Sequence, residues 1–167
     1  MENEHAKHGG TNGKNAMNMD MSKSPYLMFA ANLVASGIVM YFVMYTMIDS
    51  TADLYNNLNN LYMTLMMVTS MALFMLWMMP AMFPERRTNI LLNVVFAATF
   101  LFALYGMRTQ ALVGNDQFLR AMIPHHSGAV LMCGKSAITD PQIKRLCDGI
   151  ITSQKAEIAQ MKALLER

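Results

Sequence analysis

Charge is scarce in this 167-residue chain, where 14% of residues are Asp, Glu, Lys or Arg against about 25% in an average soluble domain. So few ionic groups leave little with which to build an ordinary wet surface. The net charge of +2 offers no overall attraction for nucleic acid, and none is expected as a partner. Two cysteines exclude a disulfide-dense scaffold. High polarity, the mark of a disordered chain, is absent over most of the length, because 54% of the residues are hydrophobic. What is present in excess is methionine, with 20 residues. These counts leave a membrane protein, or a soluble one with an unusually apolar core.

Residues 1–25 form a polar lead with no amphipathic period, expected to be a flexible tail. It contains His5 and His8 and ends on Met17, Met19 and Met21. Three apolar runs follow, at 26–48, 61–83 and 90–107, each without a charged residue. A bilayer-spanning helix needs about 20 apolar residues, within a range of roughly 17–25. Residues 26–107 are therefore expected to be a three-helix transmembrane region. The first run is too long for the core of a secretory signal and follows 25 polar residues, so an uncleaved span is expected.

The loop Asp49 to Asn60 has no Lys or Arg, whereas Arg86 and Arg87 sit in the short loop from Pro84 to Asn89, and Lys14 and Lys23 precede the first run. The positive-inside rule then puts the N-terminus and the second loop in the cytoplasm, and three spans carry the C-terminus across. Tyr26, Tyr45, Tyr62, Trp77 and Tyr105 lie near the ends of the runs, where amphipathic rings settle.

Residues 108–167 change character and hold eight of the 13 basic residues. Asn115 or Asp116 is expected to cap a helix running to about Ala137. Asp140 precedes Pro141, the favoured first helical position, and starts a second helix to about Leu165. A connection of about three residues makes the two an antiparallel helical hairpin. The fold expected for the whole chain is all-α, with three transmembrane helices followed by this hairpin.

The densest chemistry lies on the first hairpin helix. Met122 reaches His125 at i+3 and His126 at i+4, so both imidazoles are expected to meet one thioether. Pro124 lacks an N–H and frees the Arg120 carbonyl near the histidines. The neighbouring stripes continue to Met132 and Cys133. Thioether, thiolate and imidazole together suit copper, since soft sulfur favours Cu(I) and imidazole accepts Cu(II) or zinc, with zinc the less favoured; packing by the sulfurs beside two surface histidines is the alternative. On the second helix Gln154, Glu157 and Met161 share a face. A buried Glu157 calls for a partner, and an imidazole N–H is a natural one. Cys133 and Cys147 fall at similar heights of the hairpin, either as a disulfide or as two thiolate ligands.

The stretch Asp116-x-Phe118-x-x-x-Met122-Ile-x-His125-His126-x-x-Ala129-x-x-Met132, followed by Ile150-Ile151-x-x-Gln154-x-x-Glu157-Ile158-x-x-Met161, closely resembles the CopM-like family, first catalogued as a domain of unknown function. The resemblance covers about residues 114–165. It implies a ferritin-like helical bundle using Met and His as copper ligands in bacterial copper tolerance, with Met122, His125, His126 and Met161 as the metal residues. Met132, Cys133, Cys147 and Glu157 are secondary candidates, as are Met17, Met19 and Met21 in the tail. Full-length members of that family have two such hairpins and this chain has one, so a homodimer is expected to complete a four-helix bundle.

In the second run Met63, Met67, Met71, Met75, Met78 and Met82 recur at steps of three or four, with Met66 and Met79 beside them. The first run adds Met40, Met44 and Met47. This is either a weak Cu(I) relay or flexible apolar filling of helix interfaces. The combined expectation is a copper-binding protein of the bacterial inner membrane that captures, buffers or hands copper to partner proteins outside the cytoplasm. It is not expected to be an enzyme: the alternative of a ferritin-like redox metalloenzyme, with Glu157 and His126 holding the metal, is disfavoured because di-iron bundles need carboxylates and Glu-x-x-His pairs that are missing here. A structural subunit whose Met-rich helices pack against a partner complex is the other alternative.

Overall fold

The structure, a computed structural model, describes residues 24–167; the tail candidates Met17, Met19 and Met21 lie outside the described residues. Five α-helices make up the architecture: α1 (Ser24–Val43), α2 (Leu58–Met78), α3 (Arg86–Thr109), α4 (Asn115–Lys135) and α5 (Pro141–Leu165). No strand occurs among the described residues. The all-α expectation of three long apolar helices and a hairpin holds. Segments of 23, 21 and 24 residues along the first three helices are long and apolar enough to cross a membrane.

The helix ends differ from the expected runs for local reasons. The α2 helix starts at Leu58 rather than 61 because Asn57 caps it, its Oδ1 accepting from Asn60 N at 2.9 Å. It stops at Met78, two residues before Pro80, since a residue preceding proline is pushed away from helical angles. The α3 helix takes Arg86 and Arg87 into its first turn and closes on Gln110, in the left-handed region at φ 52°. Leu112 is left-handed as well, at φ 61°. This tight turn brings the chain into α4 early, so Gly114 is the capping position and neither Asn115 nor Asp116 caps. Asp116 still sits in the first turn, where a carboxylate complements the helix dipole. The α5 start is as expected, with Asp140 Oδ1 accepting from Gln142 N at 2.7 Å and Ile143 N at 3.1 Å ahead of Pro141. Because α4 ends at Lys135, the hairpin connection spans 136–140 and is longer than expected.

The α2 helix packs against both α1 and α3. Phe29, Leu33, Ala72, Leu76 and Phe83 form the buried cluster of this bundle, with Met71 and Met75 packed against it. Outward-facing residues such as Leu27, Val34, Phe42, Val94 and Leu101 are more than half exposed, an apolar mantle of the kind that hydrocarbon or a partner covers. The start of α1 meets the α2–α3 turn, where Tyr26 donates to Asn89 Oδ1 at 3.0 Å. At the opposite end, residues 44–58 and the hairpin come together. Tyr45 donates to the Tyr55 carbonyl at 2.8 Å, and Gln117 Oε1 accepts from Leu58 N at 3.1 Å.

That docking changes how the hairpin is stabilised. Ile123, Ile158 and Met161 form its core, and Tyr55 from the α1–α2 connection packs on them with Leu119, Met122 and Leu165. Two helices were expected to need a second copy to cover this face; part of the cover comes from the same chain. A buried polar clamp secures it. Ser127, fully buried, donates to Asp53 Oδ2 at 2.6 Å and accepts from Asp49 N at 2.8 Å. Lys162 on α5 donates to the other oxygen of Asp53, also at 2.6 Å.

Candidate metal site

Ile123 and Ser127 are completely buried and fix the roll of α4 about its axis. The intervening residues then point by helical geometry rather than by choice. His126 turns toward α5, with its Nδ1 2.9 Å from the Met122 carbonyl oxygen and its Nε2 2.8 Å from Glu157 Oε2. The carbonyl can only accept, and the two contacts together orient the imidazole with Nε2 toward α5, which makes Nε2 the nitrogen open to a metal ion. Its side chain is 12% exposed, whereas that of Glu157 is 48% exposed.

Met161 is buried in the hairpin core, and Met122 packs against the same cluster. His125 sits apart from His126. Its ring centroid lies 6.3 Å from that of His126, with the ring planes 64° apart, and it lines a cavity on the side of α4 facing the three long helices. Adjacent residues on a helix are about 100° apart in azimuth, so the two imidazoles serve different environments. Met122 belongs to both, as a wall of the cavity and as one of the residues packed against the hairpin core. Met132, half exposed, also lines the cavity.

Cys133 and Cys147 are joined as a disulfide, with Cα atoms 5.2 Å apart, linking the end of α4 to α5. Of the two alternatives left by the sequence, the bonded one is present, and a disulfide presents no thiolate to a metal. Among the described residues no three His, Cys, Asp or Glu side chains converge as a metal cluster. The α2 methionine line does not stay together: Met63 faces the cavity, Met71 and Met75 support the bundle core, and Met67 and Met78 are exposed. Asn32 Nδ2 approaches the Met75 sulfur at 3.8 Å.

Sequence reasoning missed Asp53, Ser127 and Lys162. The sole hint was a carboxylate in a connection otherwise free of ionic partners. It also missed Met107, whose position at the end of α3 places it at the cavity. The close approach of α4 to the end of the first span is marked by Gly128, where a Cβ would stand 3.1 Å from the Met47 carbonyl oxygen.

The fold defines a class, an all-helical protein with three membrane-length helices and a docked hairpin. Residues 103–165 match the family model described as Domain of unknown function (DUF305), a segment that runs from within α3 to the end of α5. The chain is similar to "Uncharacterized protein L153" of Acanthamoeba polyphaga mimivirus, with 35% identity over 82 residues, covering 48% of this chain and 52% of that protein. It thus spans about half the length of that curated relative. No solved structure matches.

Proposed function

We propose that the protein is a membrane-anchored copper-binding protein that captures copper on its hairpin and buffers it or hands it to a partner protein in copper tolerance. The observation that carries this reading is His126, oriented by the Met122 carbonyl and held against Glu157, on the hairpin whose core contains Met161 with Met122 packed against that core. Imidazole, carboxylate and thioether together accept both Cu(II) and Cu(I). The residues present thus fit copper, with His126, Met122 and Met161 as the holding set and Glu157 as orienting partner or ligand. His125 lies on the neighbouring face of α4, in the cavity wall. Copper is cargo here, and the protein is not proposed to catalyse a reaction.

Resemblance of the M-x-x-H-H and Q-x-x-E-I-x-x-M stretches to the CopM-like family supports the metal assignment. In this reading the protein sits in a bacterial inner membrane with its hairpin outside the cytoplasm, and the basic pair Arg86 and Arg87 supports the cytoplasmic side for the second turn. A homodimer accompanies this reading, since Phe118, Ile143 and Leu146 of the hairpin are each at least half exposed; native mass spectrometry in detergent that shows only monomers refutes the dimer.

The deciding experiment is titration of the full chain in lipid nanodiscs with chelator-buffered Cu(I) and with Cu(II). His126→Ala and Met161→Leu are expected to weaken binding at least tenfold, which is a difference of about 1.4 kcal/mol. Isotherms identical to that of the unmodified protein in both variants remove the proposed hairpin site.

A further inference from the structure

A cavity of about 400 Å³ lies where the hairpin meets the ends of the long helices. Six thioethers line it: Met44 and Met47 beyond α1, Met63 of α2, Met107 of α3, and Met122 and Met132 of α4. They come from four separate stretches of chain and are brought together only by the docking of the hairpin. His125 adds an imidazole to the same wall. Asn59, also in the wall, has its side-chain oxygen buried without a hydrogen-bond partner, while its Nδ2 is held by Gln110 Oε1 at 3.1 Å.

Methionine usually fills irregular gaps because its side chain is flexible. Six of them arranged around a cavity are not what gap filling produces. Among the described residues, those that line the space are uncharged or carry only an imidazole. Neutral sulfur and nitrogen donors are the environment that a soft monovalent ion prefers.

We propose that this cavity is a Cu(I) site built jointly by the membrane helices and the hairpin, distinct from the one at His126 although Met122 borders both. The proposal rests on the copper reading above for the identity of the metal, and on the cavity wall for its place. A metal ion held there bridges α4 to the ends of α1, α2 and α3, and so links the capturing hairpin to the membrane helices.

The test uses the full chain in nanodiscs and Ag(I), a redox-inert probe with the same donor preference. Two equivalents are expected for the unmodified protein. Met63→Leu/Met107→Leu, which lies outside the hairpin and roughly preserves volume, is expected to lose one equivalent or bind it at least tenfold more weakly. A titration of that double variant indistinguishable from the unmodified protein overturns the site. Methionine oxidation by hydrogen peroxide, read by mass spectrometry, gives a second readout without any substitution. Ag(I) is expected to shield Met44, Met47, Met63 and Met107 while leaving Met78, exposed at the other end of α2, unchanged; absence of shielding at those four positions also overturns it. His126→Ala/Met161→Leu separates the two sites. Loss of one equivalent with shielding intact at Met63 and Met107 supports both, and retention of two equivalents refutes the hairpin site alone.

Discussion

Removing the Asp53 carboxylate tests whether the α1–α2 connection holds the hairpin in place. Asp53→Ala leaves the fully buried Ser127 hydroxyl without its acceptor, which costs about 1–3 kcal/mol. It also leaves Lys162 without its partner. The Lys162 side chain is 28% exposed, so water screens it, and the loss there falls near about 1 kcal/mol, well below that of a fully buried pair. Together these give about 2–4 kcal/mol, or roughly a thirty- to eight-hundred-fold rise in the undocked population. Amide hydrogen exchange of the full chain in nanodiscs reads this directly. Amides around Ile123–Val130 and Ile158–Lys162 are expected to exchange faster, and those around Ala72–Leu76 in the bundle core to hold their rates. Asp53→Asn keeps an acceptor for Ser127 but drops the charge, so its effect is expected to fall between those of the unmodified protein and the alanine variant. Exchange in α4 that stays within threefold of the unmodified protein in Asp53→Ala would refute the reasoning.

The packing of α3 on α2 at the hairpin end depends on Gly106, where an added Cβ would stand 2.8 Å from two atoms of the Tyr62 ring. Tyr62 is buried and donates to the Ala111 carbonyl at 2.8 Å, so Gly106→Ala is expected to cost about 1–3 kcal/mol through overpacking. Tyr62→Phe should then cost less in the Gly106→Ala background than alone, a coupling that a double-mutant cycle in thermal unfolding detects. Reduction of the Cys133–Cys147 disulfide, which closes a loop with a sequence separation of 14, is expected to lower hairpin stability by about 3 kcal/mol. Exchange rates of α4 and α5 with and without reductant measure it, and Cys133→Ala/Cys147→Ala should match the reduced protein; a reductant effect that persists in that variant would show another cause.

The three long helices and the hairpin were legible because they rest on properties of contiguous sequence. Apolar runs of membrane length, Asp140 before Pro141, and the placement of His125 and His126 one helical turn after Met122 are all local. The tight α3–α4 turn was less legible, since Gln110 and Leu112 are not residues that announce a left-handed conformation. Spacing also predicted that one thioether would meet both imidazoles. It could not show that α5 lies against His126 while the ends of the long helices lie against His125, because adjacent helix positions diverge in direction and their surroundings belong to distant sequence.

Methionine abundance, membrane-length helices and a Met–His motif were therefore fixed by the order of residues alone. Which of the 20 methionines converge was decided by tertiary structure. Asp53, Ser127 and Lys162, separated by 74 and 109 positions, hold the hairpin against the bundle, and that docking gathers Met44, Met47, Met63 and Met107 beside α4. Helical periodicity states which residues share a face; only packing between helices, driven by the burial of Ile123, Ile158 and Met161 and by the pairing of a buried carboxylate, determines what that face meets.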